Sequence, residues 1–432
     1  MIGRVLEGAL RRAQAADVVE KTDETTTLIF EAGRLKATSL AQERGTNLRV
    51  VADGRMGFAG TTDDTPDALL DAAIASARIG EAVDLQLPDP APLPEVRTHV
   101  PRAAAAGFAE LRQFGALLID RLGRDGCQVN AVVERSVGTV RIANGQGLNV
   151  SYDVSALSLS VELTRISGND VLIIGEAWSG ADLPDAGTLE RMVDNVLRRL
   201  RWSATSSPSP SGSLPVCFSP SGAAPLLLPL QQALLGKSVL QEISPLGARL
   251  GKKAFDGAFT LTDDPLAEGR PGSRPCDDEG VPSRQLPLVE RGVLREFIYD
   301  LETAARARVT PTGHGRRGTF GKPQAAYSNL VVQPGDKTLE ELLGAIDDGL
   351  LVDELLGVGQ GNVIGGGFSH PVALAWRVTK GEIVGRVKDA AVAGDAYRLL
   401  GRIVGLGKEL TWRGSLAAPH ILLAGVAVAE RG

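Results

Sequence analysis

Apolar positions recur at helical spacing from the start of the chain: Ile2, Val5, Leu6, Ala9, Leu10 and Ala13 share one face, which predicts an amphipathic helix. The pattern then shortens to strand-like runs at Thr25 to Phe30, Leu35 to Leu40 and Leu48 to Ala52. Asp53-Gly54-Arg55 is turn chemistry ahead of Met56 to Ala59, so a hairpin is expected there. Thr65-Pro66-Asp67 opens a helix reaching about Ala82, with proline in the first turn, where its missing N–H has no partner to lose. The same order then repeats. Phe108, Leu111, Gly115, Leu118, Ile119 and Leu122 mark a helix, strands follow from Val129 to Glu176 with a turn at Asn144-Gly145, and Gly187 to Trp202 is helical again.

Two stretches interrupt these patterns. Five prolines fall between Gln86 and Arg102, which can propagate neither a helix nor an interior strand. Ser203 to Ser213 is a Ser/Pro-rich linker or exposed loop. They divide the chain into 1–95, 96–207 and 208–432, the first two of similar make-up and suggestive of duplication. The third region holds an apolar helical stretch (Ala224 to Leu235), a hairpin candidate (Gln285 to Leu301), a helix from Thr338 to Gly349 and closing glycine-rich strands.

Composition narrows the class. Hydrophobic residues at 43% and charged residues at 23% of 432 residues supply a globular core, while aromatics at 4% make that core aliphatic. The net charge of -6 argues against a dedicated nucleic-acid surface. Three scattered cysteines, Cys127, Cys217 and Cys276, provide neither a disulfide framework nor a CxxC metal knuckle and fit a reducing compartment. The N-terminus lacks a signal-peptide apolar core and no run is long enough to span a bilayer, so the expectation is a cytoplasmic protein without membrane contact.

Chemical motifs mostly fail. Four Gly-Lys pairs lack the earlier glycine of a phosphate-binding loop, its place being taken by Gln231, Leu246, Arg316 and Arg402. Gly357-Val358-Gly359-Gln360-Gly361 has the wrong spacing for a dinucleotide and reads as a tight loop needing positive φ. The histidines, His99, His314, His370 and His420, form no i, i+4 pair; His99, in the proline-rich connector, is expected to be exposed. Asp277-Asp278-Glu279 lacks calcium-loop spacing and reads as a solvated turn. His314, Arg316 and Arg317 lie in a loop that reads as basic surface, with anion binding the sharper alternative. Cys217, between Val216 and Phe218, is expected to be a buried strand thiol.

An ordered series of segments nevertheless resembles the TldD/PmbA family. It runs from Asp277-Asp278-Glu279-Gly280 through Glu290-Arg291-Gly292-Val293-Leu294, Ala326 to Leu330, Leu339 to Val352, the loop at Gly359 and Gly361, and Gly381-Glu382-Ile383, to Ala393-Gly394-Asp395 and Ala418-Pro419-His420. The resemblance implies an α+β fold, with two helix-plus-antiparallel-sheet units before a larger β-rich C-terminal domain. It also implies a zinc metallopeptidase complex in which TldD-like subunits carry a helix-borne H-E-x-x-x-H motif and a later cysteine ligand. TldE (PmbA)-like subunits lack these.

This sequence is similar to the second kind. An ungapped match puts the three functional positions of the motif on Pro229, Leu230 and Leu234, and the cysteine position on Leu406. The resemblance thus implies a non-catalytic subunit with no metal of its own, zinc being held by a TldD-like partner in a heterodimer, or a homodimer of this chain, and a complex acting on peptides and unfolded polypeptides. No catalytic residue is assigned. Asp277, Asp278, Glu279, His314, Arg316 and Arg317 are the candidates for cleft lining or partner contact. Phe368 to Trp376 departs from the family's Gly-rich serine segment. The alternatives are a self-sufficient hydrolase using His314 or His370, or a regulatory protein acting on DNA gyrase, after the family's older label.

Overall fold

The computed structural model describes residues 2–124 and 126–430. Its first half is a run of α1 (Ile2–Leu10), β1 (Ala15–Glu31), β2 (Arg34–Ala52), β3 (Arg55–Thr61) and α2 (Pro66–Ile79). It continues with the short α3 (Pro101–Ala104), then α4 (Phe108–Leu122), β4 (Cys127–Asn144), β5 (Asn149–Ser167), β6 (Asp170–Gly180) and α5 (Ala186–Trp202). The strands are longer than their apolar runs because an exposed strand face needs no apolar residue. In β2, Gly45 to Val51 is buried, whereas most of Arg34 to Arg44 faces solvent. Asp53 (φ 50°) and Gly54 (φ 69°) are both left-handed, the requirement of a two-residue hairpin turn between β2 and β3.

All six strands form one antiparallel sheet in the order β3-β2-β1-β4-β5-β6. β1 pairs with β4 from Asp17↔Asn144 to Phe30↔Ala131, so the two helix-and-strand rounds meet edge to edge at the sheet's centre. α1 and α2 bury Val5, Ala9, Leu69, Leu70 and Ala73 against Val18, Leu48 and Val50. The proline-rich connector is tied down: Asn144 Nδ2 donates to the Pro88 carbonyl at 2.8 Å, and Val100 N to Ser155 Oγ at 2.9 Å. His99 in it is half-buried, contrary to the exposure expected from composition.

The Ser/Pro stretch is likewise structured, with β7 (Ser206–Ser207) pairing in parallel with Arg386–Val387. From β8 (Gly212–Phe218) onward the chain builds a ring. β8 pairs with Ile421–Glu430, which pairs with Ala390–Asp395, then Gly367–Thr379, then Asp348–Leu355, which returns to β8. Successive side chains of these strands point to opposite faces. Val216, Phe218, Leu350, Val352, Ile421 and Leu423 join the core around α6 (Ala224–Ala233). Their neighbours Cys217, Leu351, Trp376 and Leu422 pack with residues of α4, α5 and the first sheet. The two halves therefore share one apolar layer.

The helix expected from Thr338 to Gly349 covers only Leu339–Gly344. Thr338 and Glu341 cap its start reciprocally, but Leu350, Leu351 and Val352 are drawn into parallel pairing with β8, and strand geometry prevails. The hairpin of Leu286–Glu290 and Val293–Leu294 forms with Arg291 (φ 46°) and Gly292 (φ 78°) at its turn, and Gly357, Gly359 and Gly361 all take positive φ. In sum the chain is α+β, with helix-and-sheet units followed by a β-rich C-terminal region.

Candidate functional site

The acidic segment is folded back on itself. Cys276 bridges Pro282, and Asp277 Oδ1 accepts from the N–H groups of Glu279 and Val281, both at 2.9 Å. Asp277 Oδ2 accepts from Gly315 N at 2.7 Å, and Asp278 N donates to the Gly315 carbonyl at 2.9 Å. The two loops singled out in the sequence thus pair with each other, bringing Asp277, Asp278, Glu279, His314, Arg316 and Arg317 together. Asp277 to Glu279 are at most 1% exposed and His314 is 1% exposed. This corrects two expectations, the solvated turn and the basic surface loop. Neither sequence pattern could reveal it, because the covering surface is the distant first sheet.

Across that junction Arg49 of β2 donates through Nε and Nη2 to Asp17 at 2.9 and 2.8 Å, and through Nη1 to Glu279 Oε1 at 2.5 Å. Arg317 also pairs with Asp17. Glu279 Oε2 accepts from Leu301 N, at the start of the helix Leu301–Ala307, at 2.7 Å. Burial pushes the Glu279 carboxyl up to about 8 against the opposing pull of Arg49. Burial also acts to raise Asp278, but Lys21, at 2.6 Å, and Arg316 outweigh it and hold that carboxyl below its ordinary range. Asn47 Nδ2 reaches the carbonyls of Gly318, Thr319 and Gly321 at 3.0 to 3.3 Å, fastening the next loop to the sheet. These groups are clamped between halves of the molecule, most of their polar atoms paired with one another. Arg49, Asp17 and Asn47 carried no sequence signal, since only register in β1 and β2 places them here.

His314 is equally enclosed, Nε2 lying 3.0 Å from Asp263 Oδ2 and Nδ1 2.9 Å from Thr312 Oγ1. Its neighbours orient it, and no substrate route reaches a group 1% exposed. His370 is half-buried and stacks on Phe368, with ring centroids 6.0 Å apart. Both line a cavity of about 130 Å³ over α6, with Leu228, Pro229 and the glycine loop. His420 is pushed down to about 4 by burial, and Cys217 is buried as expected, its thiol pushed up to about 12.

α6 holds the segment that the resemblance matches to a zinc-binding helix. Pro229 is buried, and Leu230, Leu234 and Leu406 belong to one hydrophobic cluster at 0%, 0% and 5% exposure. Zinc takes thiolate sulfur, imidazole nitrogen or carboxylate oxygen, and these side chains offer only hydrocarbon, so the residues present do not fit the ion. The hydroxyls of Tyr397 and Tyr327 donate to the Pro229 and Gln231 carbonyls at 3.2 and 2.7 Å, further fixing the helix in its apolar setting.

A groove of about 670 Å³ lies between the first sheet and the C-terminal region, lined by Glu162, Glu176, Asp353, Glu354, Arg199 and Arg413 among others. Glu176 pairs with both arginines, and Arg199 also reaches Asp353 at 3.2 Å. These positions are far apart in sequence and belong to no motif.

Comparison with known proteins agrees with the architecture. Residues 211–430 match the PmbA/TldA metallopeptidase C-terminal domain, and residues 16–77 match PmbA/TldA metallopeptidase domain 1. A metalloprotease of Methanothermobacter thermautotrophicus is 26% identical over 426 residues, covering 94% of this chain and 91% of the relative. A metalloprotease TldD homolog of Haemophilus influenzae is 24% identical, covering 91% and 85%. The crystal structure of TldE from Thermococcus kodakarensis superposes with a TM-score of 0.90 at 24% identity, covering 99% of each chain. With the ordered segments, the two-part architecture and a domain match spanning half its length, the chain belongs to the PmbA/TldD metallopeptidase family.

Proposed function

We propose that this chain is the non-catalytic, TldE/PmbA-like subunit of a cytoplasmic zinc metallopeptidase complex acting on peptides and unfolded polypeptides. Its partner is a TldD-like subunit that supplies the zinc and the general base. The observation that supports this reading is α6, whose Pro229, Leu230 and Leu234, together with Leu406, are buried hydrocarbon at the positions that the resemblance matches to the family's zinc ligands. A lone His or Glu substitution there could not restore zinc, since several donors are required at once. The names of the relatives, metalloprotease and metalloprotease TldD homolog, support proteolysis as the family chemistry. The enclosure of His314 weighs against a self-sufficient hydrolase built on it.

The test is metal content and peptidase activity of the purified chain, alone and co-expressed with a TldD-like protein of the same genome. The expected outcome is no zinc and no activity alone, and zinc with activity in a co-purifying complex. Stoichiometric zinc and peptide hydrolysis by the lone chain would overturn the proposal.

A further inference from the structure

The junction between sheet and C-terminal region contains cationic groups that the clamp does not use. Arg274 is 1% exposed. Its backbone N–H donates to Pro265, and Nη2 makes a long 3.4 Å contact with the Gly313 carbonyl. Nε and Nη1 have no partner among the described residues, and neither does Asp278 Oδ1. Buried donors and acceptors left in this condition are destabilising, more so when charged, so a polar occupant is strongly favoured.

The surroundings define what that occupant must offer. Arg274 touches Gly313, and Asp278 is bonded to Gly315 and Arg317, so Arg316 stands between them on the same short segment. Arg316 makes no ion pair or side-chain hydrogen bond among the described residues. Lys21 spends two donors on Asp278 Oδ2 and the Arg317 carbonyl, leaving a third. The neighbouring carboxylates are committed: Asp277 to three backbone N–H groups, Asp263 to His314 and Ser328 N. Burial lowers the proton affinity of both Lys21 and Arg274, and the Arg316 charge lowers each further. Tyr152 faces the same group and is pushed up, by burial first and then by Asp278.

We propose that Lys21, Tyr152, Arg274, Asp278 and Arg316 form a binding site for hydrogen phosphate. Arg274 and Arg316 donate to its anionic oxygens, which a guanidinium fork suits geometrically. Asp278 Oδ1 accepts from its P–OH. Water could fill the hydrogen bonds but would not relieve the repulsion among three cations. Lys21, Tyr152 and Arg316 are half-buried, so the ion enters from their side. The site is independent of whether the chain pairs with a metallopeptidase.

The experiment is calorimetric titration of the full chain at neutral pH with inorganic phosphate and, at matched ionic strength, with sulfate. Phosphate is expected to bind one-to-one, and sulfate, with no proton to give Asp278, at least tenfold more weakly. Arg316→Gln, at a half-buried position that does not threaten folding, should lower phosphate affinity at least tenfold. Asp278→Asn should bring sulfate within about threefold of phosphate. Glycerol 3-phosphate distinguishes sources of the same head group: equal binding assigns a phosphomonoester, binding tenfold weaker assigns the free ion. No saturable binding, equal response to phosphate and sulfate, or an Arg316→Gln protein that binds like the original would each overturn the site.

Discussion

Glu279→Gln tests the junction through its proton balance. In the folded chain the carboxyl is fully buried and pushed up to about 8, from an ordinary value of 4.5 that the unfolded chain retains. The native state therefore binds the proton more tightly. This contribution to stability is complete below about pH 4.5 and is lost as pH rises through 8. Each tenfold change in proton affinity is worth about 1.4 kcal/mol, so the shift amounts to several kcal/mol as an upper bound. Glutamine cannot titrate. It also cannot accept from both Arg49 and Leu301 N, which costs about 1–3 kcal/mol at any pH. The stability advantage of the original chain over Glu279→Gln should thus be largest near pH 5 and should shrink by about 1–3 kcal/mol by pH 9. Urea unfolding followed by tryptophan fluorescence at pH 5, 7 and 9 measures the difference, in which other titrating groups cancel. Parallel pH profiles, or an advantage that grows above pH 8, would refute the reasoning.

Three further outcomes follow from the same contacts. Arg49→Met strands Glu279 and half of Asp17 in a buried site and should destabilise by about 3–5 kcal/mol; a loss under about 1 kcal/mol in urea unfolding would show the clamp to be weak. Gly60→Ala would put its Cβ 1.8 Å from the Thr319 carbonyl oxygen, so the loop at 318–321 must lift from the sheet; a faster proteolytic cut near Phe320, with a loss of about 1–3 kcal/mol, is expected. Finally, Cys217 and Cys276 are buried with thiols pushed up to about 12, whereas Cys127 is half-buried. An aromatic disulfide reagent should therefore titrate one thiol quickly in the native chain and three after denaturation.

Much of the fold was legible from local pattern. The 3.6-residue repeat located α1 and α4 because each buries one face, proline in the first turn marked the start of α2, and the Asp53-Gly54 turn marked its hairpin through its demand for positive φ. Where an element is polar and exposed, as over Arg34 to Arg44 of β2, periodicity carries no information about its length. Where the end of an expected helix, here Asp348 and Gly349, is recruited by a distant strand, pairing overrides propensity.

By itself, then, the sequence determined the elements whose signals are local, the hydrocarbon character of Pro229, Leu230, Leu234 and Leu406, and the resemblance to the family through its ordered segments. Only the tertiary structure decided that Asp277 to Glu279 and His314 are sealed, that Lys21 and Arg49 meet Asp278 and Glu279, and that Asp17 meets Arg317, each from more than 200 residues away. The reason is physical: a charged residue reads as solvated from its neighbours in sequence, and whether it is buried depends on which distant surface supplies the opposite charge.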